Sequence, residues 1–113
     1  MHRPNILVIC GKNKRRSRTA EHIFKNDERF NIRSAGLSPK SDRKLTASDL
    51  LWADTILVME TEHRARIKDQ YTEASSRKIE VLNIPDEYEF MDKELIEILQ
   101  IKIGQIVYEQ FGL

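Results

Sequence analysis

Short apolar runs alternate with amphipathic segments along the chain. Runs rich in isoleucine, leucine and valine, or alternating apolar with polar residues, predict strands at 5–9, 30–35, 55–59 and 78–82. Helical spacing and capping residues between and after them predict helices at 18–25, 46–52, 62–71 and from Asp92, with Gly112 just past the last. Strands alternating with helices favour an α/β fold, in which helices flank both faces of a four-stranded parallel sheet.

Composition narrows the class of protein. The chain has 113 residues, of which 40% are hydrophobic and 33% charged, and this fits one domain over 1–113. No apolar run approaches the length needed to span a bilayer, so we expect no membrane contact. The single cysteine, Cys10, excludes an internal disulfide framework and favours a reducing, cytoplasmic location.

Charge is unevenly distributed, although the net charge is only +1. A basic run follows Cys10 and contains Lys12, Lys14, Arg15, Arg16 and Arg18. Such a run is typical of a solvated surface or of an anion site. The low net charge excludes a general nucleic-acid binder, so we expect nucleic acid only as a substrate.

Cys10 to Ser17 has the features of a phosphate site. Cys10 follows the first strand, and ligands of parallel α/β sheets bind at the carboxyl ends of the strands. The turn made by Gly11, Lys12, Asn13, Lys14 and Arg15 can direct backbone N–H groups at an anion, and the helix start adds more. That setting favours the nucleophilic thiolate of Cys10. Arg16 offers a planar fork for two phosphate oxygens, and the Ser17 hydroxyl can donate to the thiolate.

The spacing of cysteine, five residues, arginine and serine is similar to the active-site signature of the low-molecular-weight protein tyrosine phosphatases. The resemblance continues in that family's order through four further segments: "TAE" at 19–21, "RSAG" at 33–36, "WADTILVME" at 52–60 and "PDEY" at 85–88. "PDEY" resembles the loop that supplies the family's general acid. The resemblance implies a flavodoxin-like, three-layer fold over nearly the whole chain.

The resemblance also implies a mechanism without a metal or cofactor. Cys10 would attack phosphorus and form a phosphocysteine intermediate. Asp86 would protonate the leaving oxygen and then activate water. Arg16 and the loop amides would hold the phosphate oxygens. Asn13 and Ser34 would brace the loop.

Other residues leave alternatives open. Tyr88 either lines the pocket or covers it, and Asp92 rivals Asp86 as acid but is better explained as an N-cap. Gly11 and Lys14 stand where the family commonly has apolar residues. These changes favour a smaller or more highly charged phosphate ester, such as a nucleotide or RNA end, over phosphotyrosine. A phosphoprotein and a small polyanionic phosphate ester both stay open as substrates. The oligomeric state stays open.

Two other functions remain possible at this stage. An arsenate reductase would need an external thiol, because Cys10 has no second cysteine to pair with. A non-catalytic phosphate-binding module would need neither a thiol nor an acid. The histidines have no metal-ligand spacing, and we expect His22 and His63 at the surface.

Overall fold

A four-stranded, wholly parallel sheet forms the centre of the molecule, in a computed structural model that describes residues 3–113. Its strands are β1 (Asn5–Cys10), β2 (Asn31–Gly36), β3 (Thr55–Val58) and β4 (Lys78–Val81), in the order β2-β1-β3-β4. The helices are α1 (Arg16–Phe24), α2 (Ala47–Trp52), α3 (Thr61–Gln70) and α4 (Lys93–Phe111), with a 3-10 turn at Thr72–Ala74. Residues 1 and 2 of the predicted domain lie outside the described residues.

Both faces of the sheet are covered, which explains the continuous apolar run of β1. Successive side chains of a strand point to opposite faces. Ile6, Val8 and Cys10 join the core cluster that contains residues of α1 and α4, and Leu7 and Ile9 join the cluster that contains residues of α2 and α3. The predicted α/β fold, with helices on both faces of a parallel sheet, is confirmed.

Helix ends follow the predicted capping residues. The Thr46 side chain accepts from the Asp49 N–H while Asp49 accepts from the Thr46 backbone, and this capping box begins α2. The Asp92 side chain accepts from the N–H groups of Glu94 and Leu95 and begins α4, which ends at a left-handed Gly112. The structure therefore uses Asp92 as an N-cap. Among the described residues, no helix is long and apolar enough to cross a membrane.

The prediction that His63 lies at the surface is wrong. His63 is only 4% exposed, because it lies one helical turn before the fully buried Ile67 on the inner face of α3. Its charged sequence neighbours occupy the outer face. His22 is exposed, and the prediction that it lies at the surface is confirmed.

Candidate active site

The loop between β1 and α1 keeps its amide groups free. Within the described part of the chain, no backbone N–H group of residues 11–17 donates a hydrogen bond. The carbonyl groups of Cys10 and Gly11 instead accept from the N–H groups of Leu37 and Ser38, at 3.1 and 2.8 Å. Unpaired N–H groups in a turn and at a helix start form a binding site for an anion.

A chain of polar contacts leads to the cysteine. The Asn13 amide donates to Ser17 Oγ at 2.9 Å, and Ser17 Oγ lies 3.0 Å from Cys10 Sγ. Because Ser17 Oγ already accepts from Asn13, its own hydrogen is available to the sulfur. Asn13 has a left-handed backbone with φ 54°, which asparagine tolerates better than most residues. All three side chains are buried, so the contacts hold the loop from inside.

Gly36 allows the loop to lie close to the end of β2. A Cβ atom at this position would lie 2.1 Å from Ser41 Oγ and 2.8 Å from the backbone nitrogen of Asn13. Any larger residue would therefore displace the loop or the segment that carries Ser41.

Two hydrogen-bond acceptors hold the Arg16 guanidinium in place. Its Nη1 donates to Glu60 Oε2 at 2.8 Å and to the Ile84 carbonyl at 2.7 Å, and the residue is 4% exposed. Asn83, directly before Ile84, is left-handed with φ 56°. Nε lies 3.7 Å from Asp86 Oδ1. With Nη1 occupied twice, the Nε–Nη2 edge is the one left for two oxygens of a ligand.

Glu60 and His63 form the support behind Arg16. The Arg16 hydrogen bond lowers the pKa of Glu60, which therefore stays ionised. Burial lowers the pKa of His63 and favours the neutral ring. His63 Nε2 lies 3.7 Å from Glu60 Oε2, and Nδ1 has no hydrogen-bond partner among the described residues.

These groups meet in a cavity of about 450 Å³. One side is the loop, with Cys10, Gly11, Lys12, Lys14, Arg15 and Arg16. The other side consists of Glu60, Glu62, His63, Arg66 and Asp86. The Asp86 side chain is 60% exposed, so its carboxyl group can meet a ligand at the mouth.

The remaining predicted site residues lie outside the cavity wall. Asn13 and Ser17 are buried behind the loop. The Ser34 hydroxyl donates to Glu21 Oε1 at 2.6 Å and so ties β2 to α1. Tyr88 packs against the core cluster that includes residues of α1 and α4. Desolvation, followed by the charges of Glu94 and Glu87, raises the pKa of Tyr88.

Glu60, Glu62 and His63 also bring potential metal-ligating atoms within 4.8 Å of one another. The Arg16 guanidinium lies 2.8 Å from Glu60 Oε2 and would repel a cation at that carboxylate. We therefore interpret Glu60 as the partner of Arg16.

Comparison with known proteins places the fold. No family model matches the chain, and no curated protein does. The solved tyrosine phosphatase Wzb from Escherichia coli K30, in complex with phosphate, is 22% identical, with a TM-score of 0.74 over 96% of this chain and 99% of that one. The low-molecular-weight protein tyrosine phosphatase from T. tengcongensis is 22% identical, with a TM-score of 0.71 over 97% and 99%. The YwlE arginine phosphatase from Geobacillus stearothermophilus is 19% identical, with a TM-score of 0.71 over 96% of each chain.

The chain has the low-molecular-weight phosphatase fold. The similar structures include a tyrosine phosphatase and an arginine phosphatase. The low-molecular-weight phosphatase fold therefore does not by itself define a substrate, and the argument for function rests on the site.

Sequence reasoning missed four groups that line this cavity: Glu60, Glu62, His63 and Arg66. A signal for Glu60 was present, because it follows β3 almost directly and the carboxyl ends of neighbouring parallel strands lie at one edge of the sheet. With Glu60 at the cavity, His63 is expected nearby, because it lies three residues later, about one helical turn.

Proposed function

We propose that this protein is a cysteine-dependent phosphomonoester hydrolase that acts through a phosphocysteine intermediate. The observation that carries the proposal is the position of Cys10 at the start of a loop whose N–H groups, residues 11–17, are all unpaired within the described chain. A nucleophile next to several unpaired N–H donors can attack the central atom of a tetrahedral oxyanion that those donors bind.

In the first step, the Cys10 thiolate attacks the phosphorus atom and forms an S–P bond. The P–O ester bond breaks, and Asp86 transfers its proton to the leaving oxygen, which departs as an alcohol. Arg16 binds two phosphate oxygens through its Nε–Nη2 edge, and the loop amides bind the charge that develops. The exposed position of Asp86, 3.7 Å from Arg16 Nε, supports this role.

In the second step, water attacks phosphorus from the side that the leaving group vacated. The Asp86 carboxylate accepts a proton from that water, the S–P bond breaks, and inorganic phosphate leaves. The hydrogen bond from Ser17 stabilises the departing thiolate. The cycle restores the thiolate and the protonated Asp86, so it needs no other reactant than water.

Glu60 and the Asn13–Ser17 pair act as positioning residues in this proposal. Glu60 and the Ile84 carbonyl fix the direction of the Arg16 guanidinium. Asn13 fixes Ser17, which in turn contacts Cys10 Sγ. A cytoplasmic, reducing location suits this chemistry because the thiol must stay unoxidised.

Hydrolysis of p-nitrophenyl phosphate by the wild type, Cys10→Ser and Asp86→Asn tests the proposal. We expect the Cys10→Ser protein to lose turnover while it still binds phosphate or vanadate, and the Asp86→Asn protein to lose most of its turnover. Equal turnover by wild type and Cys10→Ser would refute the proposal.

An assay of arsenate with added thiol donors separates the reductase alternative. We expect no thiol-dependent arsenate reduction at a rate that matches phosphoester hydrolysis. If wild-type protein binds phosphate but hydrolyses no phosphoester, the non-catalytic binding module becomes the better description.

A further inference from the structure

The cavity wall is unusually polar for a site that would bind an aryl phosphate. Among the described residues that line it, the large side chains are all basic, acidic or, at His63, imidazole. No phenylalanine, tyrosine, tryptophan, leucine, isoleucine or valine contributes to that lining. Binding sites for aromatic ligands are lined mainly by apolar and aromatic side chains. The wall therefore offers no apolar side chain against which a phenol ring or a nucleobase could pack.

Three cations on this wall have no partner. Lys12 and Lys14 project from the loop and Arg66 from α3, and all three are exposed. None of the three side chains makes a hydrogen bond or ion pair within residues 3–113. They differ in this from Arg16, which Glu60 holds, and from Arg15, whose Nε lies 3.8 Å from Glu89.

The acidic residues of the wall do not cancel these charges. Glu60 is ion-paired with Arg16, and Asp86 lies next to the same guanidinium. Glu62 is the remaining carboxylate on the wall, which also carries the three unpaired cations. The mouth of the cavity is therefore positive beyond what one reacting phosphate needs, since Arg16 and the loop amides already serve that group.

We propose that the natural substrate is an aliphatic phosphate ester that carries a second anionic group, a carboxylate or a second phosphate, bound by Lys12, Lys14 and Arg66. This inference rests on the proposed phosphatase function and names its substrate class. The reacting phosphate lies on the loop amides and Arg16, and the second anion lies at the mouth. The charge of the second group then supplies the recognition that an aromatic wall supplies elsewhere.

A matched substrate series tests the class. Glycerol 3-phosphate, 3-phosphoglycerate and 2,3-bisphosphoglycerate share a three-carbon skeleton and differ in the second anion: none, a carboxylate, or a carboxylate with a phosphate. We expect kcat/KM for one of the latter two to exceed that for glycerol 3-phosphate by about tenfold at low salt. A larger gain for 3-phosphoglycerate identifies the carboxylate as the second group, and a larger gain for the bisphosphate identifies the phosphate. The advantage should shrink several-fold in about 0.5 M salt, because exposed charges are screened.

Arg66→Gln is the decisive variant, with Arg64→Gln as its matched control. Arg64 is on the same helix and exposed, but it is outside the cavity wall. We expect Arg66→Gln to reduce the preference for the second anion by about threefold to fivefold, and Arg64→Gln to leave it unchanged. Equal effects of the two variants would overturn the assignment to Arg66.

Failure of the substrate class is distinguishable from failure of the phosphatase proposal. If p-nitrophenyl phosphate is hydrolysed in a Cys10-dependent way but glycerol 3-phosphate matches both anionic substrates, the class is wrong and the chemistry stands. A higher kcat/KM for a phosphotyrosyl peptide than for every member of the series would also overturn the class. If well-folded wild-type protein hydrolyses none of these substrates, the phosphatase proposal itself is contradicted.

Discussion

The floor and the rim of the cavity are built in opposite ways. The side chains that form the floor, or support it from behind the loop, are buried and hydrogen-bonded to one another or to the scaffold: Cys10, Asn13, Arg16 and Ser17. The side chains of the rim are exposed: Lys12, Lys14, Arg66 and Asp86. Cys10 is 3% exposed, whereas the Asp86 side chain is 60% exposed.

This difference separates two tasks. A buried, hydrogen-bonded floor keeps the nucleophile and the phosphate donors in one geometry, as preorganised charge stabilisation requires. An exposed rim of unpaired cations reorganises at little cost and selects what is attached to the phosphate. Floor substitutions should therefore lower turnover of every substrate, and substitutions of the rim cations should change the ranking of substrates.

Among the residues that support the nucleophile and Arg16, the largest effect is expected at Ser17. Ser17→Ala removes the hydroxyl next to Cys10 Sγ and leaves the Asn13 amide without its acceptor. We expect kcat to fall by about 10- to 100-fold, which corresponds to the loss of one hydrogen bond to a charged group. The loss should be the same for p-nitrophenyl phosphate and for substrates with a second anionic group. Steady-state kinetics on both classes measures this, and a loss confined to one class would break the distinction between floor and rim.

Glu60→Gln should come next. The variant weakens one of the two contacts of Arg16 Nη1, so the guanidinium loses its fixed direction. We expect kcat/KM to fall about tenfold. Glu62→Gln is the matched control, because it removes the same charge from the same wall without touching Arg16. Equal losses in the two variants would mean that net charge, and not the position of Arg16, matters.

Gly36→Ala tests the packing behind the floor. The added methyl group collides with Ser41 and with the backbone of Asn13, so we expect a loss of about 1–3 kcal/mol in the free energy of unfolding. Denaturant unfolding measures it. Gly104→Ala is the control, because nothing lies within 4 Å of the added atom and a mid-helix alanine should stabilise α4 by about 0.5–1 kcal/mol.

The smallest effect concerns pH and His63. Burial lowers the pKa of His63 in the folded protein below its ordinary value of 6.5, so between these two pKa values the unfolded chain binds more protons than the folded one. The contribution of His63 to the free energy of unfolding is therefore fully present above pH 6.5. It decreases as the pH falls toward the pKa of the folded state. His63→Gln should flatten this part of the profile measured by thermal unfolding. An unchanged profile would show that another group is responsible.

Much of the fold was predictable because local patterns agree with it. The apolar run of β1, the capping box of Thr46 and the Asp92 cap each determine an element from nearby residues. The end of β1 at Cys10 also predicts where a site forms. Five of the eight predicted strand ends differ from the observed ends by one residue. Hydrogen-bond pairing with the neighbouring strands determines where a strand ends.

The support behind Arg16 was not predictable in the same way. Glu60 and Ile84 lie 44 and 68 residues from Arg16 along the chain, and only the approach of β3 and the segment after β4 brings them together. His63 is surrounded by charge in sequence and is nevertheless buried, since one face of α3 packs inward. Likewise, the Ser34 hydroxyl bonds to Glu21, a partner that strand periodicity does not specify.

The phosphocysteine intermediate tests the central claim most directly. Asp86→Asn cannot activate water, so it should accumulate the intermediate when p-nitrophenyl phosphate is added. After an acid quench, intact-protein mass spectrometry should find one added phosphoryl group, and peptide mapping should assign it to Cys10. Continued release of p-nitrophenol without any phosphoryl group on Cys10 at any time point would contradict the account.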